Sequence, residues 1–263
     1  MKRQIGIQIR EYVLDSDIKA TMEFLGISIG QIFIYPSLSK KSFNDSFFND
    51  CLMYVHGSYR INLAQKSGFH PVIKKELSSM NNFGFNQYVF HPGSWKSFEK
   101  KTEALETVSK MITFFSKLYP TIHFIIENTP NQKNLLGADI HDLHFILNNV
   151  AKTVPLSFCI DTSHAFAAGY ALNTHSGLDN FAQLCTDLLG GFISLIHLND
   201  TNSECGLGHD QHEFPGQGLL GVSFLKRFFS YKIFQSIPII IEPPVFSMIE
   251  LKKFLITLCK ILN

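Results

Sequence analysis

Residues 123–161 read HFIIENTPNQKNLLGADIHDLHFILNNVAKTVPLSFCID, and this stretch holds the repeating unit of the whole chain. It opens on an apolar run that closes in an acid, His123–Glu127, and ends on another, Leu156–Asp161. Between them Ile140–Asn149 has helical character. Both runs are almost wholly apolar rather than alternating, as expected of strands covered on both faces. Strand, helix and strand in this order point to a parallel α/β architecture.

The unit recurs along the chain. Further strands are expected at Ile5–Ile9, Ile29–Tyr35, Leu52–His56, Gln87–His91, Ile193–His197 and Ile237–Glu242. Helical segments are expected at Ile18–Leu25, Val72–Met80, Phe98–Leu118, Leu178–Leu188, Val222–Phe229 and Met248–Ile261. Eight strands interleaved with helices in 263 residues predict a single (β/α)8 TIM barrel domain spanning 1–263.

The polar exceptions matter most. Strands three to eight end in His56, His91, Glu127, Asp161, His197 and Glu242. Successive intervals are 35, 36, 34 and 36 residues, one βα unit each, and the last is 45 because a polar loop is inserted. In a closed barrel these side chains converge on the C-terminal mouth, where barrel enzymes keep their chemistry. A lone histidine at a strand end is usually structural, but six ionisable groups at six successive ends need partners, since each costs several kcal/mol when buried alone. Metal ions are the economical partner. Two loop pairs add donors: His164 follows Asp161, and Asp210 and His212 lie two residues apart, which requires a turn to point them the same way. Together these make nine ligands, enough for three ions. Imidazole and carboxylate without thiolate suit zinc, with manganese or iron as alternatives. With Glu127, Asp161, Asp210 and Glu242 ionised, three divalent ions leave the cluster near +2, which favours a phosphate anion.

Bulk composition bounds the rest. Hydrophobic residues are 45% and charged residues 17%, ample for a large core and unlike a disordered chain. Twenty-three basic against 22 acidic residues give a net charge of +1, too little to hold nucleic acid by bulk charge. Five scattered cysteines without a CxxC pair argue against a disulfide framework and for a reducing compartment. No apolar run reaches the 18 or so residues of a membrane span, so a soluble cytoplasmic protein without signal peptide is expected.

Six collinear segments resemble the apurinic/apyrimidinic endonuclease IV family of the xylose-isomerase-like barrels: His56–Ala64, His91–Ser94, Glu127–Thr129, Asp161–Tyr170, His197–Asp200 and Ile241–Glu242. The resemblance covers nearly the whole chain, and the block from Asp161 is highly specific. It implies three zinc ions. His56, His91 and Glu127 would hold one; Glu127, Asp161, His197 and Glu242 a second; His164, Asp210 and His212 the third, with Glu127 and Glu242 as the catalytic carboxylates. The implied reaction is hydrolysis of damaged double-stranded DNA on the 5′ side of an abasic sugar, in base excision repair, by a monomer.

The recognition loops depart from the family. Gln8 stands where histidine is common, and Lys40, Lys41 and Phe43 where the family has an arginine and a tryptophan. Tyr59 is kept but Arg60 follows it in place of an aliphatic wedge, Leu207-Gly208-His209 replaces a serine-arginine pair, and Gln217 replaces glutamate. Tyr59, Arg60, Lys40, Lys41 and His209 are therefore the candidate DNA contacts. His70, His123, His141, His144 and His175 fall off the pattern and read as surface or core residues. Two rival readings stay open: a metal-dependent sugar isomerase or epimerase on a related barrel, which has no use for the Asp210 and His212 pair, and a non-catalytic metal-stabilised barrel with lost DNA loops.

Overall fold

Strands without alternation need cover on both faces, and the fold provides it by closing the sheet on itself and ringing it with helices. The structure, a computed structural model, describes residues 3–9, 18–34, 46–68, 70–244 and 247–262. Its strands are β1 (Ile5–Ile9), β2 (Ile29–Phe33), β3 (Leu52–His56), β4 (Gln87–Phe90), β5 (His123–Glu127), β6 (Leu156–Asp161), β7 (Ile193–His197) and β8 (Ile239–Ile241). All pair in parallel and in chain order, and β1 closes the barrel against β8 with Ile5 opposite Ile239. The helices are α1 (Ile18–Leu25), α2 (Pro71–Phe83), α3 (Lys101–Leu118), α4 (Ile140–Asn149), α5 (Thr162–Ala167), α6 (His175–Leu188), α7 (Gly221–Phe228) and α8 (Met248–Leu262). None of the described helices is long and apolar enough to cross a membrane.

Local chemistry sets the helix ends. Pro71 starts α2, where its missing N–H costs nothing, and Gly84 closes it in the left-handed conformation at φ 83°. The side chains of Asp139 and Thr174 cap α4 and α6 by accepting backbone N–H bonds. Strand ends differ from expectation by a few residues, for identifiable reasons. Phe33 pairs with His56, the last residue of β3, and β2 stops there, short of Ile34, while Tyr35 lies outside the described residues. β4 and β8 each stop one residue short of His91 and Glu242, next to Pro92 and Pro243, which have no N–H for a ladder. The short α5 was expected as loop.

Inside the barrel a small layer of Ile29, Tyr54, Val89, Ile125, Cys159, Leu195 and Ile240 packs on itself. The larger core lies between the strands' outer faces and the helices. Because strand side chains alternate, the residue two positions further along each strand also points inward, one layer higher. Those residues are Gln31, His56, His91, Glu127, Asp161, His197 and Glu242, and on β1 the pair is Gly6 and Gln8. One strand period therefore turns eight separate segments into a single polar layer above an apolar plug.

Gly6 is where β1 comes closest to its neighbour. A Cβ there would lie 2.1 Å from the Ile29 carbonyl oxygen, a backbone atom that cannot move alone. Gly6→Ala is expected to destabilise by about 1–3 kcal/mol, several degrees of Tm in a chain of this size. Gly191→Ala, with nothing within 4 Å of the added carbon, is expected to leave Tm unchanged or slightly raised. Thermal unfolding followed by circular dichroism checks the pair, and equal Tm values would refute the close-approach account.

Candidate metal centre

The polar layer is organised around the Glu127 carboxylate, which is 1% exposed. One oxygen, Oε2, lies 3.0 Å from His56 Nε2 and 3.2 Å from His91 Nε2. The other, Oε1, lies 2.8 Å from His197 Nδ1 and 3.3 Å from His164 Nδ1. Asp161 and Glu242 flank His197 Nδ1 at 4.0 and 3.8 Å. Further out, Asp210 Oδ1 lies 3.2 Å from His164 Nε2 and 3.1 Å from His212 Nε2, and His212 also approaches Asp161 at 3.9 Å. All nine predicted donors are thus brought to one place. The ligand atoms of eight of them fall into sets that lie mutually within 4.8 Å: His56, His91 and Glu127; Glu127, Asp161, His197 and Glu242; and Asp161, His164 and His212, the last with Asp161 where Asp210 was expected. Cys159 joins Glu127 and His197 in a further set.

The donor chemistry fits divalent ions. His91 Nε2 and His212 Nε2 are buried and lack a hydrogen-bond partner, although each lies close to a carboxylate oxygen. Orphaned imidazole nitrogens facing carboxylates are what a cation would satisfy. His56 and His164 donate from Nδ1 to the carbonyls of Gly57 and Asn128, at 2.8 and 2.9 Å, which leaves Nε2 of each turned to the cluster.

Beneath and beside the donors lies a shell of neutral residues. Asn199 donates to Asp161 Oδ2 at 2.6 Å and to Glu242 Oε2 at 3.4 Å, and its own oxygen accepts the Glu242 N–H at 2.9 Å. Thr162 ties β6 to β7 by donating to the Asn199 carbonyl at 2.6 Å. Asn128 brackets Asp161 by accepting its N–H at 2.7 Å and donating to its carbonyl at 3.1 Å. Asp161 also caps α5, accepting the His164 N–H at 2.8 Å, so this short helix exists to aim His164.

The inserted loop after β7 reaches the site because two anchors hold it. Asp200 is buried and accepts four backbone N–H bonds, from Thr201, Gly216, Leu220 and Gly221, at 2.8–3.0 Å. Gly206 and Gly208 donate to the carbonyls of Phe166 and Ala167 on α5, and Ser163 donates to the Gln211 carbonyl. Asp210 and His212 therefore face His164 together, as their spacing required of a turn.

Burial opposes charge on His56, His164, His197, His212, Glu127, Asp210 and Glu242, and their opposites outweigh it. His197 is raised well above its ordinary value by the Glu127 and Glu242 carboxylates, and His164 likewise by Asp161, Asp210 and Glu127. His212 and His56 are raised as well, chiefly by Asp210 and by Glu127. Glu127 is held well below the usual carboxylate range by His197, His91 and His164, Glu242 is lowered chiefly by His197, and Asp210 is lowered by His164 and His212. Burial pushes the Cys159 thiol up to about 12, so it stays neutral. Protons on imidazoles thus balance the carboxylates, in the positions where cations would do the same.

The candidate DNA contacts are more dispersed. Tyr59 is 66% exposed and stands over the first set, 5.6 Å from the His56 ring and 5.7 Å from that of His91. Its turn is fixed by Glu76, which accepts from the Ser58 N–H and the Tyr88 hydroxyl. Arg60 is exposed and lines, with Tyr59, Phe33 and Lys75, a cleft of about 850 Å³. His209 sits at the loop surface, 3.3 Å from Ser203 Oγ, with exposed Leu207 two residues before it. Lys40, Lys41 and Phe43 lie outside the described residues. Sequence reasoning missed Gln31 and Glu76 as organisers, and gave Asn128, Thr162, Asn199 and Asp200 only as parts of motifs. The alternation of β2 carried a signal for Gln31, a glutamine in an otherwise apolar run.

A family model described as a xylose isomerase-like TIM barrel matches residues 50–255. The chain is 32% identical to a probable endonuclease 4 of Campylobacter hominis over 199 residues, 72% of this chain and 69% of that one. It is also 32% identical to apurinic-apyrimidinic endonuclease 1 of Plasmodium falciparum, over 75% of this chain but only 34% of that protein. It therefore spans about a third of that longer relative. Its barrel superposes on the crystal structure of endonuclease IV from Thermus thermophilus with a TM-score of 0.76 at 22% identity, covering 98% of this chain and 97% of that one. The chain belongs to the xylose isomerase-like TIM barrel family, and within it to the endonuclease IV branch.

Proposed function

We propose that this chain is an endonuclease IV-type AP endonuclease, a metal-dependent phosphodiesterase that cleaves DNA 5′ to abasic sites. The observation that supports it most is the convergence of eight of the nine donors in sets that share Glu127 and Asp161 at the barrel mouth, with Asp210 against His164 and His212 beside them. A cluster built this way suits several adjacent ions better than one. We assign the first position to His56, His91 and Glu127, the second to Glu127, Asp161, His197 and Glu242, and the third to His164, Asp210 and His212, with zinc as the ion. When bound, the ions supply positive charge for a phosphodiester and activate water near neutral pH.

The side chains of the chain itself do the rest. Glu127 would serve both the first and the second position, since its two oxygens face different pairs of imidazoles. Glu242 and Asp161 face the middle of the cluster with Asn199 fixing both. Tyr59 offers an exposed aromatic face beside the first position, against which a sugar or an unstacked base can lie. Arg60 and His209, both exposed, are the side chains we assign to phosphates.

The direct test is metal-replete protein on a duplex carrying one abasic-site analogue. Strand cleavage is expected, lost with chelator and reduced more than about 100-fold by Glu127→Gln, since even outer partners of metal ligands cost 10–100-fold. Elemental analysis of the purified protein is expected to give three ions per chain. A single ion would favour the sugar isomerase reading, and full loading without cleavage the non-catalytic one.

The protonation balance gives a second prediction. Histidines raised above 6.5 contribute stability that is complete below pH 6.5 and lost as pH climbs through the raised values. Carboxylates held below 4.5 contribute stability that is complete above pH 4.5 and lost as pH falls through the lowered values. Metal-free protein therefore loses cluster stabilisation above pH 6.5, while bound ions, which require deprotonated imidazoles, are held more tightly there. The Tm difference between loaded and stripped protein is expected to widen from about pH 6 to about pH 8. A constant or narrowing gap would count against the protons and the ions sharing one site.

A further inference from the structure

Gln31 lies on β2 in the polar layer, fully buried, and belongs to none of the donor sets. Its amide makes three hydrogen bonds. Nε2 donates to Gln8 Oε1 at 2.7 Å and to Glu242 Oε1 at 3.1 Å, and Oε1 accepts from His197 Nε2 at 2.9 Å. The orientation of the amide is forced by its neighbours. An ionised carboxylate can only accept, so the amide nitrogen must face Glu242. The amide oxygen then faces His197, and the Nε2 of that ring must carry the hydrogen.

Only Nδ1 of His197 is left for the cluster, where it faces Glu127, Asp161 and Glu242. His56 and His164 are arranged the other way, donating from Nδ1 to backbone carbonyls and offering Nε2. Gln31 also takes up Glu242 Oε1, which leaves Oε2 on the side of Asn199 and His212. A single neutral side chain thus determines which atom each of two neighbours presents. Gln8, 2% exposed, braces the amide from β1, so the pair forms a relay across two adjacent strands.

We propose that Gln31, braced by Gln8, is a positioning residue that locks His197 in the Nε2–H tautomer and so presents its Nδ1, together with Glu242 Oε2, to the second metal position. This rests on the metal reading proposed above. The relay acts on the second set alone, because no hydrogen bond of Gln31 or Gln8 reaches His56, His91, His164, Asp210 or His212.

The test uses zinc-loaded protein carrying 15N-labelled histidine, with the rings assigned by through-bond correlation to their backbones. Long-range proton–nitrogen spectra are expected to place the His197 proton on Nε2 and the His56 and His164 protons on Nδ1. Gln31→Met, which keeps the volume but removes all three bonds, is expected to weaken one zinc class about 10–100-fold in chelator competition and to leave the others unchanged. Gln8→Met removes only the brace; if Gln31→Met fails to fold, a smaller loss here, confined to the same zinc class, carries the test with the wild-type spectrum. A wild-type His197 proton on Nδ1, or folded variants with unchanged zinc affinities, overturns the relay while leaving the metal reading intact. A chain that takes up no zinc overturns the metal reading itself, and the relay with it.

Discussion

A carboxylate with no access to water holds the mouth of this barrel together. Glu127 is 1% exposed, and four imidazole nitrogens lie within 3.3 Å of its two oxygens. Left alone, such a charge would cost several kcal/mol even after relaxation. Every partner must therefore arrive at the same height in the barrel, from β3, β4, β6 and β7. Strand alternation delivers this: each partner is placed by an inward position one layer above the apolar plug, or by the helix that follows it. Barrel closure is then a condition of the site as much as of the core, because an open sheet could not bring β3 and β7 within reach of one carboxylate.

Donors held this way need their free atoms aimed, and the neutral side chains do it. Asn128, Thr162 and Asn199 follow strand ends and bond to backbone groups of the next strand's end, and Asn199 bonds to two carboxylates as well. They link β5 to β6 and β6 to β7 to β8 just where strand hydrogen bonding runs out. Asp200 plays the corresponding part for the inserted loop, satisfying four N–H groups that would otherwise lie buried without partners. Rigidity in the loops comes from these polar anchors, since apolar packing is concentrated below and outside them.

This division explains what could be read from residues alone. The apolar strands and their polar ends carry a periodic signal, so the barrel and the convergence of His56, His91, Glu127, Asp161, His197 and Glu242 were legible. His164, Asp210 and His212 were legible as candidates through their pairing, but their meeting depends on Asp200 and on the ties from the loop to α5, which no spacing rule encodes. Gln31 was passed over because an amide in a strand has no chemistry of its own. Its meaning comes from Gln8 and Glu242, 23 and 211 residues away in sequence. Strand ends shifted where the neighbouring strand or a proline ended the ladder, which is a property of pairs of segments and not of either one.

The charge balance places one more constraint on the proposed function. With a net charge of +1 the chain has no broad field to draw in a polyanion. Arg60 and Lys75 line the cleft by Tyr59, and the loop before Asp210 offers leucine, glycine and histidine. Four carboxylates at the mouth make the bare protein repel phosphate once the imidazoles lose their protons. The three divalent ions of the proposed reading would reverse that sign, leaving a local excess of about two positive charges. At physiological ionic strength such a source acts over only about 8 Å, so it selects for a phosphate that has already entered the mouth. On the proposed reading, the ions that activate water would also hold the substrate. Binding and chemistry would then be one function of the same cluster, and the geometry that Glu127, Asn199 and Gln31 impose would serve both.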